Sequence, residues 1–335
     1  MPDRVIVRLP NWLGDTVMAV PAIRALRQAL DGAPLLLAGP WAAILGDQAL
    51  ADVLVTYPRS WSGRLSTADT VSDFGGSTAV LLPNSFEAAA AALYWGARRR
   101  IGFAVGGRSW LLTDRVELPR PRPHQVDEFA LLVEPLGVAV DVREPRMAPP
   151  DAASPERRRV RALMREAGVP EPAGAARLVG VHLGAAYGSA KVWDPVRVVE
   201  LCRLLGERGD TAVLLGAPGD VPLVEEVSRA TRAPSLAGRD SPELLLALLA
   251  ELDALASGDT GVAHLAAALG TPVVALFGPT DPRLTAPRGP VAVIRGDAPC
   301  APCFYRTCPI DHPCMRAIEA TAVIERLDAF LAERA

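Results

Sequence analysis

The sequence predicts an α/β protein of two doubly wound domains in tandem, and three observations lead there. Short, wholly apolar runs alternate with helix-patterned segments in both halves, as buried parallel strands and their crossovers do. Near 145–155 a stretch rich in proline, charge and small residues separates the two alternations. Glycine-bearing loops follow apolar runs in each half, at Gly14 and again at Gly258 and Gly261.

In order along the chain, Val5-Ile-Val reads as a buried strand, and the loop over 10–15 turns into a helix over 16–30. Further strands are expected at 35–38, 52–55 and 79–82, with a helix at 87–95. These make a first Rossmann-like domain over 1–150. A helix at 155–167 and the turn Pro170-Glu-Pro extend the connector into a linker region over 151–175. The second domain, 176–316, is expected to hold strands at 178–183, 211–215, 253–256 and 273–277. Its helices are expected at 195–206, 221–230 and 244–250. Over 317–335, Ile318, Ala322, Leu327, Phe330 and Leu331 recur at helical spacing, so a C-terminal helix should pack back on a domain. Tandem domains of this type are expected to face a cleft at the carboxyl ends of their strands.

Composition narrows the function. The chain has 335 residues, 50% of them hydrophobic, which is enough for two cores. A net charge of −3 argues against a general nucleic-acid binder, so any anion site must be local. The run from Arg4 to Leu9 is too short for a signal sequence, and 244–250 is closed by Glu251 and Asp253 well short of a membrane span. A cytoplasmic protein without a transmembrane segment is expected. In that compartment five cysteines read as thiols or metal ligands rather than disulfides.

Several clusters carry chemistry. Ser257-Gly-Asp-Thr-Gly-Val-Ala-His264 reads as a tight loop opening a helix, whose first-turn N–H groups sit beside a hydroxyl and an imidazole. It suits a diphosphate, or only a sharp turn. Asp15 follows Gly14, where it can face the cleft as a base or cap the helix from Thr16. Lys191, in the loop after 178–183, can meet a departing diphosphate or stand in solvent, and Ser189 accompanies it. Asn84 and Ser85 can hydrogen-bond a ligand or cap the next helix. Arg98-Arg-Arg100 makes a local cationic run. Cys300-x-x-Cys303-x4-Cys308-x5-Cys314 has a first pair at metal-ligand spacing. Zinc, an iron–sulfur group and unligated thiols all stay open.

Four islands in order, Asn11-Trp-Leu-Gly-Asp15, Leu82-Pro-Asn-Ser-Phe86, Gly184 to Trp193 and Asp259-Thr-Gly-Val-Ala-His264, give the chain a family likeness over nearly its whole length. It resembles the bacterial lipopolysaccharide heptosyltransferases, above all their type II branch. The resemblance implies a two-domain GT-B fold, with the acceptor held mainly by the first domain and ADP-heptose by the second. It implies Asp15 as catalytic base and Lys191 as the cation at the diphosphate. Asp259, Thr260, Gly261 and His264 would form the donor motif, with Ser189 an added phosphate contact. Asp220 would serve as a ribose ligand, although relatives place an acidic residue sooner after the Gly-Ala pair and Pro218 interrupts that pattern. For an anionic lipopolysaccharide inner core, Arg100 with Asn84 and Ser85 would hold the acceptor. The expected reaction is inverting heptose transfer at the inner face of the cytoplasmic membrane, with no cofactor required for catalysis. A structural zinc at the four cysteines is a separate expectation. The alternatives are another nucleotide sugar, a nucleotide-sugar epimerase, or a metal-containing interaction module.

Overall fold

A computed structural model describes residues 3–171, 176–239 and 241–332, and the chain divides into two compact units, 1–145 and 146–335. Residues 172–175 of the expected linker region and 333–335 of the expected C-terminal helix lie outside the described residues.

The first unit carries β1 (Val5–Arg8), β2 (Leu35–Gly39), β3 (Val53–Thr56), β4 (Thr78–Leu81), β5 (Arg99–Phe103) and β6 (Asp114–Val116). Its α-helices are α1 (Leu13–Met18), α2 (Val20–Ala29), α3 (Trp61–Asp73), α4 (Phe86–Tyr94) and α5 (Gln125–Leu131). All six strands pair in parallel, in the order β3-β2-β1-β4-β5-β6. The strands β1, β2 and β4 are buried throughout, because helices cover both faces of a parallel sheet. Chain order reverses between β1 and β4, so the loops that follow these two strands lie side by side at the switch point. The Leu82 N–H donates to the Arg8 carbonyl at 3.2 Å and ties those loops together.

The single helix expected over 16–30 is instead two. Pro21 has no N–H to continue the ladder, and its ring clashes with the carbonyl four residues back, so the chain breaks at Ala19 and restarts with Pro21 in the first turn of α2.

The second unit carries β7 (Leu178–His182), β8 (Thr211–Leu215), β9 (Ala254–Gly258), β10 (Val273–Phe277) and β11 (Val291–Arg295). Its α-helices are α6 (Pro155–Glu166), α7 (Pro195–Glu207), α8 (Val221–Thr231), α9 (Pro242–Ala250), α10 (Gly261–Ala268), α11 (Pro282–Thr285), α12 (Pro313–Arg316) and α13 (Ala320–Ala332). The parallel sheet runs β11-β10-β9-β7-β8, with its switch point between β7 and β9.

Two further segments are firmly built into the second unit. The helix α6 is not part of a linker: Ser154 caps it, Val160, Leu163 and Met164 bury against the unit, and it packs on α9. Arg157 and Arg161 both reach Glu251, at 2.5 and 2.9 Å. The C-terminal helix α13 packs on α7, β10 and β11, and places Val323 and Leu327 in the core of this unit.

Candidate functional site

Apart from Arg100, Asp220 and the cysteines, the candidate residues of each unit lie on or just after the loops at its own switch point. In the first, α1 begins earlier than the sequence suggests. Trp12 is the N-cap and offers no side-chain bond, so Asp15 lies inside the first turn rather than capping it. There the half-buried carboxylate benefits from the helix N-terminus. It also adds to the field at Arg122, whose affinity for its proton is raised chiefly by the buried Glu128, held through bonds of 2.7 and 2.8 Å.

Ser85 is the N-cap of α4, its hydroxyl accepting from the Ala88 N–H at 3.2 Å. Asn84, exposed beside it, accepts at Oδ1 from Arg108 Nη2 at 3.1 Å. Arg100 ends in backbone contacts of its own unit. Its Nε donates to the Leu111 carbonyl and its Nη1 to the Ala97 carbonyl, both at 2.6 Å, which ties one edge of the half-buried guanidinium to its own unit. Arg99 is paired with Asp114 at 2.7 Å, which leaves Arg98 as the exposed member of the run.

Two arginines that sequence reading missed sit beneath these loops, both fully buried. Arg8 ends β1 and donates to Asn11 Oδ1 at 2.9 Å, with Glu87 at 3.8 Å and the Tyr57 ring at 4.9 Å. Arg108 donates to the carbonyls of Pro83, Ser85 and Phe103. Burial lowers each guanidinium pKa to about 10, with Glu87 opposing the shift at Arg8; both stay cationic at neutral pH. The signal for Arg8 was present as a charge at the end of an otherwise apolar strand.

In the second unit the loops after β7 and β9 meet. Lys191 Nζ lies 2.5 Å from Asp259 Oδ2 and 3.1 Å from the Asp259 carbonyl, while Thr280 Oγ1 donates to the same carboxylate at 2.8 Å. His264 Nε2 stands 3.9 Å from Asp259 Oδ1, beyond hydrogen-bond distance. Burial works to raise the Asp259 pKa, but His264 and Lys191 more than reverse it and leave it at about 2. Asp259 is therefore an anchor for Lys191.

Thr260 caps α10, its hydroxyl accepting from Ala263 N–H at 3.4 Å and lying 2.9 Å from Ser257 Oγ. The N–H groups of Gly261 and Val262 fall in the first turn, where no intrahelical acceptor exists. Lys191 also stands 4.7 Å from the Tyr187 ring centroid. Ser189 is exposed at the start of the short turn that ends in Lys191.

Asp220 lies at the end of β8 rather than with that cluster. Its Oδ2 accepts from Ala217 N–H at 2.9 Å and sits so close to Gly184 that a Cβ there would collide with it. Its charge partly offsets the burial that lowers the His182 pKa to about 4.

The cysteine-rich loop braces the Lys191 loop from outside. Tyr187 Oη donates to the Phe304 carbonyl at 2.8 Å, Arg306 Nε donates to the Tyr187 carbonyl at 2.8 Å, and Ala190 N–H donates to the Arg306 carbonyl at 3.0 Å. Gly188 is required where Arg306 crosses, because a Cβ would meet that carbonyl. The four thiols do not fit a closed zinc site as they stand. Among the described residues, no three His, Cys, Asp or Glu side chains are placed to hold a metal ion. Cys300 is exposed and Cys314 buried, although the neighbouring thiols add to the burial that pushes the Cys314 thiol up.

Two parallel-sheet units, each with a loop cluster at its switch point, make a GT-B-type α/β fold, and the family of the chain makes it a glycosyltransferase. The chain belongs to glycosyltransferase family 9 (heptosyltransferase), whose profile matches residues 77–313. It is 26% identical over 301 residues to lipopolysaccharide heptosyltransferase 2 of Escherichia coli K12, covering 85% of each chain. Among solved structures, it superposes on E. coli ADP-heptose LPS heptosyltransferase II with a TM-score of 0.79 at 23% identity, over 99% of each chain. A family 9 glycosyl transferase from Veillonella parvula gives a TM-score of 0.83 at 19% identity, over 99% of this chain and 97% of that one.

Proposed function

We propose that this chain is an inverting glycosyltransferase that moves heptose from ADP-L-glycero-D-manno-heptose to the lipopolysaccharide inner core. Membership of the heptosyltransferase family and the names of the relatives support the sugar and the acceptor. The observation that carries the chemistry is the Lys191 ammonium, fixed by Asp259 beside the N-terminus of α10.

The acceptor hydroxyl oxygen attacks the anomeric carbon while the bond from that carbon to the diphosphate oxygen breaks. The hydroxyl proton passes to Asp15, and the electron pair leaves with ADP. Lys191 and the first-turn amides of Gly261 and Val262 receive the developing charge, and Thr260 holds the turn that presents them. His264 and Asp259 keep Lys191 in place, Ser189 borders the phosphate, and the remaining oxygen of Asp220 suits a ribose hydroxyl. No cofactor is required for this step, because the lysine supplies the positive charge.

A lipid-borne acceptor implies work at the cytoplasmic face of the membrane as a peripheral protein. No helix among the described residues is long and apolar enough to cross a membrane. Trp61 and Leu65 on α3 and Phe86 and Leu93 on α4 are exposed apolar side chains of the first unit, which suit that place.

The test is a donor panel with purified protein and defined heptosylated and unheptosylated lipid cores, with product linkage determined by NMR. ADP-heptose should be used with inversion at the anomeric carbon. Donor isomerisation without acceptor, or preference for another nucleotide sugar, overturns the reading.

A further inference from the structure

Two asparagines flank the switch point of the first sheet, Asn11 after β1 and Asn84 after β4, and each has a buried arginine behind it. Arg8 Nη2 donates to Asn11 Oδ1 at 2.9 Å, and Arg108 Nη2 donates to Asn84 Oδ1 at 3.1 Å. A guanidinium has donors and no acceptor, so the amide facing it must present its oxygen. The rest of each amide is then decided. Both NH2 groups point away from the arginines, and no described residue accepts a hydrogen bond from either of them.

The arginines cannot easily swing to free the amides. Arg8 is fixed by the Leu9 carbonyl and the Tyr57 ring, and Arg108 by three carbonyls, and neither side chain reaches solvent. The local charge is positive. Glu87 is shared between Arg8 at 3.8 Å and Arg64 at 2.9 Å, and no described carboxylate forms an ion pair with Arg108.

We infer that Arg8 and Arg108 are positioning residues that lock Asn11 and Asn84 as a pair of amide donors for an oxyanion, a carboxylate or phosphate, on the sugar acceptor. Buried cations behind two amide donors on neighbouring loops favour an anion over a neutral hydroxyl, which could itself donate and would accept either amide orientation. The inference rests on the reading that the first unit holds the acceptor, and it names the group on that acceptor that is read.

Asn84→Asp is the direct test. It keeps the oxygen that Arg108 holds and replaces the outward donor with an oxygen that repels an anion. Wild type and variant are compared on three forms of one sugar acceptor, carrying a carboxylate, a phosphate, or neither. Transfer by the wild type to at least one form establishes that the acceptor is used; its absence on all three strikes the functional reading rather than this one. With the anionic forms, Asn84→Asp should raise the acceptor KM about tenfold or more, with kcat and the donor KM within about twofold. With the neutral form the rise in KM should be several-fold smaller, and whichever anionic form loses more identifies the group. Arg108→Lys keeps the charge but loses the planar fork, so it should raise the same KM on the same form. Equal loss on charged and neutral acceptors, or an unchanged KM in a variant whose thermal melting matches wild type, overturns the inference.

Discussion

Lys191 Nζ and Asp259 Oδ2 lie 2.5 Å apart in the floor of the second unit, with the lysine side chain only 11% exposed and the aspartate 7%. The pair is asymmetric in what it offers a ligand. Asp259 has its Oδ2 engaged by Lys191 and Thr280 and faces His264 with its Oδ1, whereas the ammonium can still donate. Lys191→Ala should therefore lower both turnover and ADP affinity, with turnover falling about a hundredfold. Asp259→Asn should behave differently: it frees the lysine without removing it, so kcat falls while ADP affinity, measured by calorimetry, drops much less. Equal losses of affinity in the two variants would make Asp259 a ligand rather than an anchor.

Asp15 sits in the first turn of α1, on the other unit from Lys191 and Asp259. Asp15→Asn keeps the shape and removes the base. Transfer should fall about a hundredfold or more, the usual cost of losing a general base, while ADP binding stays near wild type. Near-native turnover by the folded variant would remove Asp15 from the proton transfer.

His182 ends β7 between Ser257 of β9 and Leu215 of β8, and burial lowers its pKa to about 4 from an ordinary 6.5. In the unfolded chain the imidazole takes up a proton below about 6.5, while the folded protein resists until about 4. Stability is thus undiminished above pH 6.5 and declines as pH falls towards 4, by roughly 3 kcal/mol at the limit. Asp259 acts in a lower window: its carboxylate is held at about 2, so its contribution is present above an ordinary 3.8 and is lost as pH falls through 2. Urea unfolding at pH 7, 6, 5 and 4.5 should show the first decline, and His182→Gln should flatten it. An identical slope in that variant would assign the decline to other groups.

What the sequence disclosed and what it hid follow from the range of the interactions. Central strands such as β2 and β10 are continuous apolar runs and were legible, because burial on both faces leaves no other pattern. The edge strands β6 and β11 carry partly exposed residues, and β5 opens with two arginines that read as a solvated charge run. Asp259 and Lys191 stood out through their loops, yet their pairing joins positions 68 residues apart. Arg108 was invisible for the same reason: its partners are backbone carbonyls up to 25 residues away, and a carbonyl leaves no mark in a sequence. Arg100, conspicuous in the sequence, donates to such carbonyls as well, a fact equally absent from the sequence.

The cysteines give the last prediction. Cys300 is exposed, Cys303 and Cys308 are half-buried, and Cys202 and Cys314 are buried. Burial pushes the Cys202 thiol up to about 11, so only about one molecule in a thousand carries the reactive thiolate at pH 8. The Cys314 thiol is raised as well, by burial first and then by the three neighbouring thiols. Alkylation with iodoacetamide, followed by peptide mass spectrometry, should therefore modify Cys300 first and Cys202 and Cys314 last, without any need for a chelator. A zinc held by Cys300, Cys303, Cys308 and Cys314 makes the opposite demand. Cys300 would then be protected until chelator is added, and elemental analysis would find about one zinc per chain. In that case the loop would close around a metal, and Cys303→Ser should lower thermal stability and loosen the brace that Phe304 and Arg306 give to the Lys191 loop.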